Sequence, residues 1–177
     1  MLNCTVLDRE GREHSLGHHI GRGLVLLALL RQYGCVGCNH LVTHLALRLH
    51  ELDELGFTNV FVGLGTPEHL QDFETRMHLH DKRVRLFTSP DGSAHRAADL
   101  PRSAWASLGP KSLWQRARLL GEGFLSDTVT GDPLQMSGLF FLRDGRVVWH
   151  HVADSPAGHP SDVALVQQAM VLALEPV

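Results

Sequence analysis

The 177-residue chain has three cysteines, a single tyrosine and no long apolar run. Three cysteines are too few for a disulfide scaffold in a domain of this size, so each reads as chemistry or as packing. The longest hydrophobic run, Leu24 to Leu30, falls far short of the ~20 residues that a membrane-spanning helix needs, so no membrane role is expected. The opening residues, MLNCTVLDREGREH, lack the apolar core of a secretory signal, and a cytoplasmic location with reduced thiols is the expectation. There is no block of five Lys or Arg, and a net charge of −3 gives no reason to expect a nucleic-acid partner. No repeat or low-complexity tract interrupts the chain, so residues 1–177 read as one domain. Histidine is the abundant residue: thirteen of them make the charge sensitive to pH between roughly 5 and 7.

The apolar pattern alternates between two periods. Two short runs around Glu10-Gly11 suggest an N-terminal hairpin. GLVLLALL then reads as a strand buried on both faces, as in a parallel sheet. After Cys38 the spacing becomes helical, with Leu41, Leu45, Leu49, Leu52 and Leu55 on one face of a helix predicted to end at Gly56. NVFVGLG is a second buried strand, and Thr66-Pro67-Glu68 opens a helix with a cap, a proline and an acid in favourable places. RVRLFT gives a third strand, followed by a Pro-Asp-Gly turn and a short helix. KSLWQRARLLGEGF reads as an inserted helix, and SGLFFLRDGRVVWHHV as a hairpin turning at Asp144-Gly145. A capped helix within SPAGHPSDVALVQQAMVLAL closes the chain. The order predicts an α/β fold with helices on both faces of a sheet, and a site at the turn after the first buried strand.

That turn holds Cys35 and Cys38. Cys35 follows the strand at or near the first turn of a helix, where unpartnered backbone N–H groups and the helix dipole favour a thiolate. Cys38 lies one helical turn on, within reach of a sulfur or sulfenic acid formed on Cys35. A metal reading competes, because Cys35, Cys38, His40 and His44 are four ligand types within ten residues. Set along one helix they point in different directions, which opposes tetrahedral convergence. Two small core residues are the third reading.

On LRQYGCVGC (residues 30–38), GDPLQMSGLFFLRDGRVVWHH and SPAGHPSDVALVQQAM, the chain resembles the peroxiredoxin-like (AhpC/TSA) branch of the thioredoxin-like superfamily, of the selenoprotein L and peroxiredoxin-like 2 type. The resemblance is specific at those stretches and loose between residues 57 and 125. It implies a thioredoxin-like fold: a central mixed β-sheet flanked by helices, with an N-terminal hairpin and an inserted helix. It further implies reduction of a peroxide through Cys35, with Cys38 resolving the product as a disulfide and a thioredoxin or glutathione system recycling it. Neither a cofactor nor a metal is called for, and a homodimer fits the family. A thiol-disulfide oxidoreductase acting on small disulfides is the alternative on the same scaffold, with a metal-binding or regulatory module behind it.

The departures from typical peroxiredoxins are specific. Gln32 stands where they carry a threonine before the peroxidatic cysteine, and Ala28 where they carry a proline. Ser137 replaces their later arginine, and Met136 falls about where thioredoxins carry a cis-proline. Arg31 and Arg143 are the candidates to supply the missing guanidinium. Tyr33 and Gly34 complete the supporting set, Tyr33 as a hydrogen-bond donor or a lid over the core, Gly34 as unencumbered backbone. Loss of an electrostatic donor can cost about 10²-fold in rate, so a slow peroxidase is expected. Cys4, Trp105, Trp114 and Trp149 read as core or interface, Arg116 and Arg118 as a solvated face. One of His150 and His151 should face inward, and GLGT at residues 63–66 lacks the remaining glycines of a nucleotide fingerprint.

Overall fold

A computed structural model describes residues 1–80, 83–124, 131–155 and 157–175; Pro156, within the last stretch quoted above, lies outside them. β1 (Thr5–Leu7) and β2 (Glu13–Ser15) form the N-terminal hairpin, and α1 (Leu16–Ile20) follows directly. β3 (Leu24–Leu29) is the buried strand of the apolar run. Its residues divide by parity: Leu26, Ala28 and Leu30 enter one core, Val25, Leu27 and Leu29 the other. A strand covered on both faces has no polar side, which is why it reads as continuous rather than alternating.

The single helix predicted from Cys38 to Gly56 is two. α2 (Val36–Ala46) and α3 (Leu49–Glu54) are separated at Leu47-Arg48, where the turn tightens to Leu47 N–H···O His44 (3.3 Å) and Arg48 N–H···O Leu45 (2.9 Å). Arg48 fastens the break by bonding Asp162 (3.1 Å) and Glu51 (2.7 Å). The apolar spacing continues across it, since Leu45, Leu49 and Leu52 all remain buried, so periodicity alone could not show the joint. Gly56, at φ +84, makes the left-handed exit that a side chain would strain.

β4 (Phe57–Gly63) lies parallel to β3, α4 (Pro67–Arg76) follows, and β5 (Val84–Thr88) lies parallel to β4. Thr66 caps α4 in a reciprocal box with His69, whose ring accepts the Thr66 N–H at 3.1 Å. α5 (Ser93–Ala97), α6 (Ala104–Leu108) and α7 (Pro110–Gly121) come next, and α7 packs on α2 as the inserted helix; α6 adds a second, shorter one. β6 (Gly138–Arg143) and β7 (Arg146–Val152) form the last hairpin, turning through Asp144 (φ +48) and Gly145 (φ +77), the pairing of left-handed residues that a tight hairpin favours. α8 (Asp162–Leu174), capped by Ser161, ends the described chain.

The seven-stranded mixed sheet runs β2-β1-β5-β4-β3-β6-β7. β3 is an interior strand, parallel to β4 and antiparallel to β6, so the loop after it opens at the carboxyl ends of the parallel strands. Of the two alternatives read for Trp105 and Trp114, core or interface, the core one does not hold: both are exposed on α6 and α7, on the side of those helices away from α2. Trp149 is half-buried against Phe141, with ring centroids 5.4 Å apart. Among the described residues no helix is long and apolar enough to cross a membrane.

Candidate active site

β3 ends at Leu29, and Leu30 stays tied to the sheet through its N–H, which donates to the Val62 carbonyl at 2.8 Å. The following Arg31-Gln32-Tyr33-Gly34 turn is wholly buried and delivers Cys35 as the N-cap residue of α2, with φ −77 and ψ 122. Cys35 is 5% exposed and Cys38 is sealed; both are free thiols. Cys38 donates a hydrogen bond to the Cys35 sulfur. That bond is the main reason the Cys35 thiol is pulled down to about 6 against the penalty of burial. The Arg31 guanidinium adds to the effect, as do the N–H groups of Cys38 and Gly37, which face the sulfur without closing a full capping bond. The same bond, with burial, pushes Cys38 well up, although the Gln32 and Arg31 N–H groups point at its sulfur. The pair is therefore asymmetric: Cys35 is pulled toward the thiolate and Cys38 held as the thiol.

Arg31 is fully buried. Its Nη2 donates to Ser107 Oγ at 3.2 Å and to the Pro133 carbonyl, which holds it between α6 and the loop before β6. Its Nε and Nη1 have no partner among the described residues. Arg143 is elsewhere. It pairs in register with Leu24, at the opposite end of β3 from Cys35, and its guanidinium bonds the carbonyls of Glu175 (2.7 Å) and Leu172. It cannot serve this site.

Tyr33 acts as an anchor. Its hydroxyl donates to the Phe87 carbonyl at 2.8 Å, its carbonyl accepts from Arg76 Nη2 at 2.7 Å, and its ring lies against Gly63 so closely that a Cβ there would sit 2.4 Å from Cε1. The Gln32 carbonyl accepts the Cys35 N–H at 3.3 Å, and Gly34 is buried in the turn between them. Ser137 is buried beside the carboxyl end of β3, and its hydroxyl bonds His159 Nε2 at 3.3 Å. Burial pushes His159 down to about 4, with the charges of His151, His40 and Arg31 acting in the same direction. His95 is likewise buried, pushed down to about 4, and bonds the Leu30 carbonyl at 2.8 Å from α5. Ser107, Pro133, His95 and His159 carried no sequence signal. They meet the cysteine turn only through long loops.

His40 and His44 lie ring to ring at 4.6 Å with Phe124 beside them, on the wall of a cavity of about 260 Å³ shared with Leu41, Leu45 and His159. The cysteines instead join the core, and among the described residues no three His, Cys, Asp or Glu side chains are arranged to hold a metal ion. His150 is exposed, and His151 bonds the Gly158 carbonyl at 2.7 Å. Cys4 is half-buried with its sulfur 3.8 Å from the Ser93 carbonyl.

Residues 44–155 match the AhpC/TSA antioxidant enzyme family; that span starts after both cysteines. A search of curated proteins finds no match. Among solved structures, peroxiredoxin Q from Xanthomonas campestris superposes with a TM-score of 0.68 at 17% identity, over 97% of this chain and 92% of that one. Peroxidoxin BcpB from Mycobacterium tuberculosis gives 0.65 at 14% identity, over 98% and 94%. A secreted M. tuberculosis disulfide oxidoreductase gives 0.56 at 13%, over 96% of both chains. At these identities the likeness establishes the fold, which is the thioredoxin-like architecture expected from the sequence.

Proposed function

The chain belongs to the AhpC/TSA antioxidant enzyme family, and from that premise we propose that it reduces peroxides with Cys35 as the attacking sulfur and Cys38 as the resolving one. The observation that carries this reading is the Cys35 thiolate at the start of α2, hydrogen-bonded by a thiol one turn behind it. The thiolate attacks the terminal, proton-bearing oxygen of a hydroperoxide. A sulfur–oxygen bond forms as the O–O bond breaks, leaving Cys35 as sulfenic acid and releasing alkoxide, or hydroxide from hydrogen peroxide, which takes a proton from water. Cys38 sulfur then attacks Cys35 sulfur; the S–O bond breaks, and the hydroxyl leaves with the Cys38 proton as water. An external dithiol or pair of thiols, of the thioredoxin or glutathione type, returns the disulfide to two thiols. A reducing compartment such as the cytoplasm suits that cycle.

Cys38 lies three residues after Cys35 in the first turn of α2, so the resolving thiol is local to the nucleophile. Thiol-disulfide exchange is the second reading. It is favoured by Gln32 and Ser137, which leave the threonine hydroxyl and arginine of typical peroxiredoxins unreplaced at those positions. To test the first, reduced protein is mixed with hydrogen peroxide or cumene hydroperoxide and its thiols are mapped by mass spectrometry. A Cys35–Cys38 disulfide is expected. In Cys38→Ser, a sulfenic acid should be trappable on Cys35 with dimedone, and its absence removes the reading.

A further inference from the structure

β3, β4 and β5 run parallel, so their carboxyl ends open on one side of the sheet, where the Cys35 turn follows β3. On that side the Leu64 and Pro90 loops, which follow β4 and β5, wall a separate cavity of about 160 Å³. Its polar lining is Arg96, Arg102, Asp91, Asp132 and Gln135.

Gln135 is 5% exposed and its amide is fixed in orientation. Nε2 donates to the carbonyls of Leu100 (3.2 Å), Pro101 (3.3 Å) and Met136 (3.2 Å), a role that only the amide nitrogen can fill. Oε1 has no partner among the described residues, yet it is not sealed by packing. A buried side chain thus keeps one idle acceptor at the cavity wall.

The arginines keep donors in reserve. Arg102 engages Asp132 Oδ2 through Nε (2.5 Å), and its two terminal nitrogens have no partner among the described residues. Arg96 holds the Asp91 carbonyl through Nη1 (2.5 Å) and lies 3.5 Å from Asp91 Oδ2 through Nη2. The remaining carboxylate oxygens are occupied: Asp91 Oδ1 accepts the Ser93 N–H at 3.0 Å and Asp132 Oδ1 the Leu134 N–H at 2.9 Å. An inorganic anion here would face both aspartates and leave Oε1 idle, and a simple cation would face both guanidiniums. A ligand carrying both signs on adjacent atoms meets all three demands.

We propose that this cavity binds the zwitterionic head group of an α-amino acid. Its ammonium donates to Gln135 Oε1 in the field of the two aspartates, and its carboxylate accepts from Arg102, with Arg96 as the second cation. Two sources carry this chemistry, a free amino acid and the γ-glutamyl end of glutathione. The site goes beyond the cysteine chemistry and stands without it.

Calorimetry on the full chain tests the assignment with L-glutamate and with S-methylglutathione, whose blocked sulfur prevents exchange at the cysteines. Both should bind. N-acetyl-L-glutamate, which lacks the ammonium, and 4-aminobutyrate, which lacks the α-carboxylate, should each bind about tenfold or more weakly than L-glutamate. Equal affinity for L-glutamate and S-methylglutathione would support the site with a free amino acid as its source, and tighter binding of the tripeptide would support it with glutathione. Arg102→Gln should weaken L-glutamate about tenfold or more. Its side chain is 65% exposed, so the fold should tolerate the change, and Arg96→Gln, at 66%, is the second variant. Failure of both zwitterions to bind overturns the proposal. So does N-acetyl-L-glutamate binding as tightly as L-glutamate, or an affinity that survives Arg96→Gln and Arg102→Gln together. Peroxide inertness with these affinities intact would sink the peroxidase reading alone.

Discussion

Replacing Cys38 by alanine removes the thiol that donates to the Cys35 sulfur, the largest influence holding Cys35 as a thiolate. A hydrogen bond to a charged group is worth about 1.5–3 kcal/mol, and each pKa unit corresponds to about 1.4 kcal/mol. Losing it should raise Cys35 by about one to two units, from about 6 to about 7–8. Cys38→Ser is the matched control, since its hydroxyl restores a donor in the same place while remaining unable to form a disulfide. Iodoacetamide alkylation of Cys35 as a function of pH reads the midpoint directly. The alanine curve should move up and the serine curve should stay near wild type. If the two variants titrate together, the thiolate is held by Arg31 and the helix start, and the reasoning from a thiol–thiolate bond is wrong.

Tyr33→Phe strands the buried Phe87 carbonyl and should cost about 1–3 kcal/mol in urea unfolding, while Cys35 alkylation keeps its pH midpoint. A changed midpoint would mean that the tyrosine touches the chemistry. Because Cys35 is lowered from an ordinary value near 9.0 to about 6, its contribution to folding is complete above pH 9, declines as pH falls and is gone below 6. Urea midpoints of reduced wild type minus Cys35→Ala, compared at pH 5.5, 7 and 8.5, should show that decline, and a flat difference would refute it.

Local chemistry made much of the fold legible. β3 announced itself because both its faces are buried, α4 because Thr66 and Pro67 start helices, and the last hairpin because Asp144 and Gly145 tolerate positive φ. The cysteine turn was legible for the same reason: strand, C-x-x-C and helix are contiguous. The joint between α2 and α3 was not, since leucine spacing runs through it unbroken. Arg31 could be nominated but not placed, because its fate depends on Ser107 and Pro133, 76 and 102 residues away. The bond between Ser137 and His159 joins a strand end to the segment before α8, a pairing that no local pattern encodes.

Trp105 and Trp114 stand in water on the inserted helices, while Trp149 is wedged beside Phe141. Most of the indole light from the native protein therefore comes from wet rings, with red-shifted emission that acrylamide quenches before any denaturant is added. A fluorescence melt of this molecule would follow chiefly the loosening of the β7 edge and be nearly blind to the insertion.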